Sequence, residues 1–250
     1  MPNGVKNTLI IGATSAIAAE LSVECAARGE RLFLVGRDPV KLQKVAGAAG
    51  AAVVGVAAAD FRELEQGTAL VAQAQAALGS IDSVFIAHGL LPDQEETERS
   101  FAAAEEAFVV NLLSVVSFVI PLANLFESQR RGSLVVIGSV AGDRGRPRTY
   151  TYGAAKGGLA IYLQGVRSRL ASSGVRVVTI RLGPVDTPMT RSHRKNALFA
   201  QPGAVAKTIA LAREHGPDDV YVPWFWAPIM LGVRSLPEAL FQRLRFLSGR

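Results

Sequence analysis

Short apolar runs rich in β-branched residues alternate along the chain with longer, alanine-rich stretches whose apolar positions recur at helical spacing. The short runs are TLIIG (Thr8 to Gly12), RLFLVGR (Arg31 to Arg37), AVVGVAAAD (Ala52 to Asp60), SVFIAHG (Ser83 to Gly89), SLVVIGS (Ser133 to Ser139), VRVVTIRLG (Val175 to Gly183) and DVYVPW (Asp219 to Trp224). They lack strict apolar–polar alternation, as strands covered on both faces do. Between them the spacing predicts helices, the longest over Phe101 to Ser128 and Tyr150 to Ser172, the second stopped by Gly174. Strands alternating with helices predict an α/β fold: a doubly wound, seven-stranded parallel sheet with helices on both faces. From Pro184 to Ala200 the pattern dissolves into polar and basic residues, which predicts a mobile loop.

A chain of 250 residues buries roughly three quarters of its unfolded surface as one domain. The division expected is a single domain over 1–224 and an apolar, basic tail over 225–250. With 49% hydrophobic and 19% charged residues, disorder is excluded for most of the chain. Cys25 is the only cysteine, so no intramolecular disulfide can form; it reads as a small buried hydrophobe in a reducing compartment. The N-terminal residues MPNGVKNTLI lack a basic region followed by a long apolar run, so a cytoplasmic location is expected. The net charge of +6 fits nucleic acid, an acidic membrane surface or an anionic substrate. No basic helix or aromatic platform supports nucleic acid.

The first strand runs into IIGATSAIA (Ile10 to Ala18). In a dinucleotide-binding turn the first glycine makes the sharp exit, the second lets backbone approach pyrophosphate, and the third permits close helix packing. Here Gly12 holds the first position and Ala16 and Ala18 the later ones, tolerable if both lie on the helix whose N-terminal amides receive the phosphate. The same residues read equally as a plain strand-to-helix turn. The second strand ends in VGRD, where Arg37 suits a 2′-phosphate and favours NADP(H), with Asp38 beside it keeping NAD(H) as the alternative.

Tyr152 and Lys156 stand four apart in a helical stretch, so an ammonium lies near a phenol and is expected to lower its pKa. Ser139 ends a buried strand at the carboxyl edge of the sheet, where ligands of such folds bind. Asn111 interrupts an apolar helix and is either a structural bridge or part of a proton relay. His88, at a strand end, is expected to satisfy a local hydrogen bond rather than act in catalysis.

With these residues the chain resembles the short-chain dehydrogenase/reductase family up to about Trp224. The resemblance implies a single-domain Rossmann fold and NAD(P)(H)-dependent hydride transfer between nicotinamide and a carbonyl or hydroxyl, with no metal. Catalytic roles would fall to Asn111 (water relay), Ser139 (carbonyl orientation), Tyr152 (acid/base) and Lys156 (ribose binding and tuning of Tyr152). The cofactor would be held by Gly12, Thr14, Ser15, Ala16, Ile17, Arg37, Asp60 at the adenine, Ala87, Gly89, Tyr152 and Lys156. Its nicotinamide end would meet LGPVDT, including Gly183, Pro184, Val185 and Thr187. The chain departs from the family pattern at Ala16 and Ala18, and at Ile86, Ala87, His88 and Gly89 in place of Asn-Asn-Ala-Gly. The family implies a homodimer or homotetramer.

Two basic clusters flank the expected substrate mouth: Arg144, Arg146 and Arg148, then Arg191, Arg194 and Lys195. They suggest an anionic substrate, for which arginine forks are suited, and read equally as two solvated loops. The tail PWFWAPIMLGVRSLPEALFQRLRFLSGR is too interrupted to span a bilayer. It is expected either to lie on a membrane, with Trp224, Trp226, Phe241 and Phe246 in the interface and Arg234, Arg243 and Arg245 toward headgroups, or to roof the substrate pocket or pack between subunits. HGLLPD (His88 to Asp93), AGDRGRPRTYTYGAAKGGL (Ala141 to Leu159), GVRVVTIRLG (Gly174 to Gly183) and the segment Trp226 to Pro228 resemble one branch of the family, bacterial reductases of a decaprenylphosphoryl 2-keto-pentose. That similarity implies a polyprenyl-phosphate keto-sugar as substrate. The alternatives are a reductase of a soluble ketone, lipid or acyl-thioester, and a dinucleotide-sensing protein without turnover.

Overall fold

Leu9 and Ile10, Phe33 and Leu34, and Val84 and Phe85 are adjacent pairs whose members point to opposite faces of a strand, and all six are buried. The sheet is therefore covered on both sides. In a computed structural model that describes residues 5–191 and 194–244, its strands are β1 (Asn7–Ile11), β2 (Arg31–Gly36), β3 (Val53–Ala58), β4 (Ser83–Ile86), β5 (Gly132–Ile137), β6 (Val175–Leu182) and β7 (Asp219–Val222). All pairings are parallel, in the order β3-β2-β1-β4-β5-β6-β7. The direction of winding reverses between β1 and β4, which opens a crevice at their carboxyl ends. The doubly wound, seven-stranded sheet expected from the sequence is present. The strands stop short of the longest apolar runs, because Gly12, His88, Ser139 and Gly183 turn out of the ladder to build that crevice.

The helices are α1 (Ala16–Ala27), α2 (Pro39–Ala49), α3 (Gly67–Leu78), α4 (Gln94–Thr97), α5 (Phe101–Phe108), α6 (Ser114–Gln129), α7 (Tyr150–Leu170), α8 (Pro202–Ala212), α9 (Trp226–Ser235) and α10 (Glu238–Arg243). One core joins Leu9, Phe33 and Val84 to α3, α6 and α7 through Leu70, Phe118, Phe126 and Leu163. The other joins Ile10, Leu34 and Phe85 to α1, α2 and α8 through Leu21, Leu42 and Ile209. Cys25 is buried in this second core, and burial pushes its thiol up to about 12, consistent with an inert small hydrophobe.

The helix expected over Phe101 to Ser128 is continuous, but its turn Val109–Leu113 is a π-helix carrying the buried Asn111. The stretch Phe101–Gln129 is long and apolar enough to cross a membrane, yet its Phe118, Val119, Leu122 and Phe126 are core residues against the sheet. Helix α7 ends at Leu170 and passes through a short 3-10 turn to Gly174, whose φ of +68° makes the expected stop. The loop after β6 is tied at its base: Asp186 N–H donates to Ala200 O at 2.9 Å and Ala200 N–H to Pro184 O at 3.0 Å.

Candidate active site

The turn after β1 is fixed by the strand beside it. Gly12 has φ +84°, and a Cβ there would lie 2.5 Å from the His88 nitrogen at the end of β4, so only glycine fits. Ser15 caps α1, accepting from Ala18 N–H at 3.2 Å. Because α1 begins at Ala16, both Ala16 and Ala18 sit in helical backbone where a methyl group is at ease. Thr14, Ser15, Ala16 and Ile17 line a cleft of about 920 Å³ along the carboxyl edge of the sheet, with Gly12 at its floor. Its size and the helix N-terminus suit a dinucleotide phosphate.

At the end of β2, Asp38 both lines the cleft and caps the next helix. Its carboxylate caps α2, accepting from Val40 N–H at 3.0 Å and Lys41 N–H at 3.1 Å, and these bonds hold its pKa below the usual carboxylate value. Arg37 is exposed and lines the cleft together with Lys41 and Arg62, two cations the sequence pattern did not single out. Asp60 also lines the cleft; bonds from Arg62, including Nη2 to Oδ2 at 2.6 Å, hold its pKa at about 2.

Across the cleft, Ser139 leaves β5 and its hydroxyl accepts from Ala141 N–H at 3.1 Å. The first turns of α7 bring Tyr152 and Lys156 to it, with Lys156 Nζ 5.9 Å from the Tyr152 ring centre. Lys156 is 3% exposed and donates to Ile137 O at 3.1 Å. Burial disfavours the charged form of each group: it pushes the Tyr152 phenol up to about 12, against a hydrogen bond with Ser139 that lowers it, and brings Lys156 down to about 8. The phenol is thus raised, not lowered as expected from the neighbouring ammonium, because its burial outweighs the Ser139 hydrogen bond.

Asn111 takes the form of a structural bridge. Its Oδ1 accepts from Leu90 N–H at 2.9 Å, and its Nδ2 donates to Leu90 O at 2.8 Å and Ala107 O at 2.9 Å. Gly89 lies between it and Lys156, since a Cβ there would be 2.9 Å from Asn111 Oδ1 and 3.6 Å from Lys156 Nζ. His88 finds the local bond expected of it, Nε2 with Ser114 Oγ at 2.9 Å, and stacks on Phe61. Burial, with Lys156 adding to it, holds its pKa at about 3, so the ring is neutral.

Ala87, Gly183, Pro184, Val185 and Thr187 line the same cleft, as do Arg146, Arg148 and Arg194. Two arginines expected at the substrate mouth are not among the cleft-lining residues. Arg144 reaches the C-terminal helices, donating to Val233 O at 2.8 Å, Leu236 O at 2.5 Å and Glu238 Oε2 at 2.8 Å, with its guanidinium over the Phe241 ring. Arg191 is exposed outside the cleft, and Lys195 pairs with Asp186.

The tail roofs the cleft instead of presenting all its aromatics outward. Trp226 is 8% exposed, packs on Val140 and Met230, and stands over Gly183, where any Cβ would collide with the indole. Phe241 is buried and Trp224 exposed, so the interface reading fails for Trp226 and Phe241; Arg245 and Phe246 lie outside the described residues. Among the described residues no group of three or more His, Cys, Asp and Glu side chains could hold a metal.

A doubly wound sheet that gathers a glycine turn, a serine, a tyrosine and a lysine at one carboxyl edge defines an oxidoreductase working with a dinucleotide. Residues 6–198 match the family model described as short chain dehydrogenase, and the chain belongs to the short-chain dehydrogenase/reductase family, whose members bind NAD(P). An uncharacterized oxidoreductase of Mycobacterium tuberculosis is 34% identical over 244 residues, covering 96% of this chain and 98% of its own. One from Streptomyces coelicolor is 34% identical over 242 residues, 96% of each chain. Among solved structures, a short chain dehydrogenase from Burkholderia cenocepacia in complex with NADP superposes with a TM-score of 0.83 at 23% identity, covering 98% of this chain and 99% of that one. Levodione reductase gives 0.79 at 23% identity over 88% and 97%.

Proposed function

We propose that this oxidoreductase is an NADP(H)-dependent carbonyl reductase. The observation that carries the proposal is the meeting of Ser139, Tyr152 and Lys156 in the cleft whose other wall is the Gly12 turn. The cradle fits a dinucleotide: Gly12 lets the turn close against His88 while lining the cleft, and the start of α1 faces it. Thr14, Ser15, Ala16 and Ile17 would hold the pyrophosphate, Arg37 and Lys41 a 2′-phosphate, Asp60 the adenine, and Gly183 to Thr187 with Lys156 the nicotinamide riboside. Bound there, a reduced nicotinamide supplies the hydride.

The chain's own residues supply the rest. The Ser139 hydroxyl holds the carbonyl oxygen. With a pKa raised to about 12, the Tyr152 phenol keeps its proton through the neutral range and donates it from Oη to that oxygen. Lys156 holds its proton below about 8 and so presents a positive charge beside the alkoxide side of the reaction at neutral pH. The basic group Arg37, Lys41 and Arg62 supports NADP(H) over NAD(H), as does the NADP complex of the Burkholderia protein.

The sharper form of the proposal is a phosphate-bearing carbonyl, a polyprenyl-phosphate keto-sugar, supported by Arg146, Arg148 and Arg194 at the cleft and by the branch motifs quoted above. A cytoplasmic homodimer or homotetramer completes it. The test is a fluorescence titration of the purified protein with NADPH and NADH, followed by turnover of Tyr152→Phe. Tight NADPH binding with turnover that falls at least about 100-fold in the variant supports the proposal. Robust turnover by Tyr152→Phe, or no binding of either nucleotide, overturns it.

A further inference from the structure

Three cleft-lining residues carry a buried side-chain nitrogen without a partner among the described residues: His88 Nδ1, and two that belong to donor-only groups, Arg146 Nε and Trp226 Nε1. The latter two both rest against Val140, the residue that follows Ser139. Arg146 Nη2 donates to Val140 O at 3.3 Å, and the Trp226 ring packs on the Val140 side chain. Both line the cleft that holds Ser139 and Tyr152. Buried polar groups are ordinarily paired, and an indole N–H or guanidinium left without a partner is costly.

The neighbouring charges do not answer Arg146. Asp143, the carboxylate three residues before it, is bound by Arg181 and accepts from Tyr221 Oη at 2.7 Å. Arg146 makes no ion pair among the described residues, whereas Arg144, Arg181 and Arg213 each do. Burial lowers its pKa, the Asp143 charge opposing. What would complete it is therefore a negative charge brought from outside.

The chemistry of the pair narrows that charge. Guanidinium and indole are donors only, with no acceptor to offer a hydroxyl. Their complement is a group that only accepts, a phosphoryl or carboxylate oxygen. A neutral carbonyl or hydroxyl oxygen can accept from one of these donors but leaves the guanidinium charge unmatched, whereas an anionic oxygen group answers both the donors and the charge.

We propose that Arg146 and Trp226 form a subsite for an anionic oxygen group carried by the carbonyl substrate, phosphoryl or carboxylate, beside the carbonyl that Ser139 orients. This selects anionic carbonyl compounds as the substrate class and makes Trp226, in the C-terminal segment, a specificity-determining residue. It rests on the reductase reading for the identity of the ligand as a substrate, but the binding it predicts is measurable without turnover.

The test uses the full chain with ¹⁵N-labelled indoles, saturated with NADPH and, separately, without it. The Trp226 indole resonance is identified by its loss in Trp226→Phe. Three small ketones are titrated: dihydroxyacetone, dihydroxyacetone phosphate and hydroxypyruvate. We expect at least one anionic ketone to move the Trp226 resonance and to bind about tenfold or more tighter than dihydroxyacetone. Arg146→Met should bring them within about twofold while still binding NADPH, which shows that the variant is folded. Preference for the phosphate alone identifies a phosphoryl site, and for hydroxypyruvate alone a carboxylate site. Equal binding of all three, no binding of either anion at millimolar concentration, binding that leaves the Trp226 resonance unmoved, or a preference that survives Arg146→Met overturns the subsite. A resonance that moves in a protein that never oxidises NADPH keeps the subsite and removes the reductase reading.

Discussion

Asn111 grips both backbone groups of Leu90, accepting from its N–H at 2.9 Å and donating to its carbonyl at 2.8 Å. The π turn swings this side chain out of the regular helical ladder toward the segment after β4, a place where such turns are often functional. The clamp fixes the cleft-lining residues Gly89, Leu90 and Leu91. In Asn111→Asp the donor to Leu90 O and Ala107 O is replaced by an acceptor. Urea denaturation should show a loss of about 2 kcal/mol or more, and NADPH affinity should fall with it. Unchanged stability and affinity would show that Asn111 does not hold this wall.

Gly12→Ala tests the floor of the cleft. A methyl group 2.5 Å from His88 N at φ +84° forces the two strand ends apart or flips the turn. The expected outcome is a loss of NADPH affinity of about tenfold or more, read by nicotinamide fluorescence. Ala18→Gly is the matched comparison: it puts glycine at a buried helical position, costs about 0.5–1 kcal/mol of stability, and leaves affinity within about twofold.

Arg37→Glu should separate the two nucleotides. A carboxylate beside the site assigned to the 2′-phosphate repels NADPH and is compatible with ribose hydroxyls. NADPH affinity should drop by about tenfold or more while NADH binding stays within a few-fold. Equal loss for both would mean that Arg37 does not read the 2′-phosphate.

His88 predicts an acid limb of stability. Its pKa is lowered to about 3 in the folded chain from an ordinary 6.5, because burial, and then Lys156, disfavour the imidazolium. Below 6.5 the unfolded chain therefore takes up the proton that the folded chain refuses, and stability falls as the pH drops from 6.5 toward about 3. At about pH 5 this amounts to about 2 kcal/mol. His88→Gln keeps a donor for Ser114 and should lose about that much less on going from about pH 7.5 to about pH 5 in urea titrations.

The sheet was legible because its strands are apolar at both parities: Leu9 and Ile10 serve different cores, so the run itself announces a strand covered twice. Ser139, Tyr152 and Lys156 were legible because a strand end and an i,i+4 pair carry their placement in the spacing. Loop side chains carry no such period. Arg144 and Arg146 are two residues apart in one glycine-rich loop, yet one holds the C-terminal helices and the other faces the cleft. Asp38 keeps NAD(H) as an alternative in the sequence, and Pro39 after it marks the helix start that it caps. The π turn at Asn111 leaves the apolar pattern of the helix intact, so periodicity alone could not reveal it. Whether Trp226 faces outward or roofs the pocket stays open in the sequence, because hydropathy does not say which surface an apolar segment covers.

The Arg144 contacts join two distant parts of the chain at one cleft. The groups assigned to proton transfer lie at the end of β5 and on α7, while one wall of the cleft arrives with α9, which packs on Val140 and is latched by the Arg144 guanidinium at Val233, Leu236 and Glu238. Changes to this terminal segment that spare the latch can therefore reshape one wall of the cleft without touching the residues to which proton transfer is assigned.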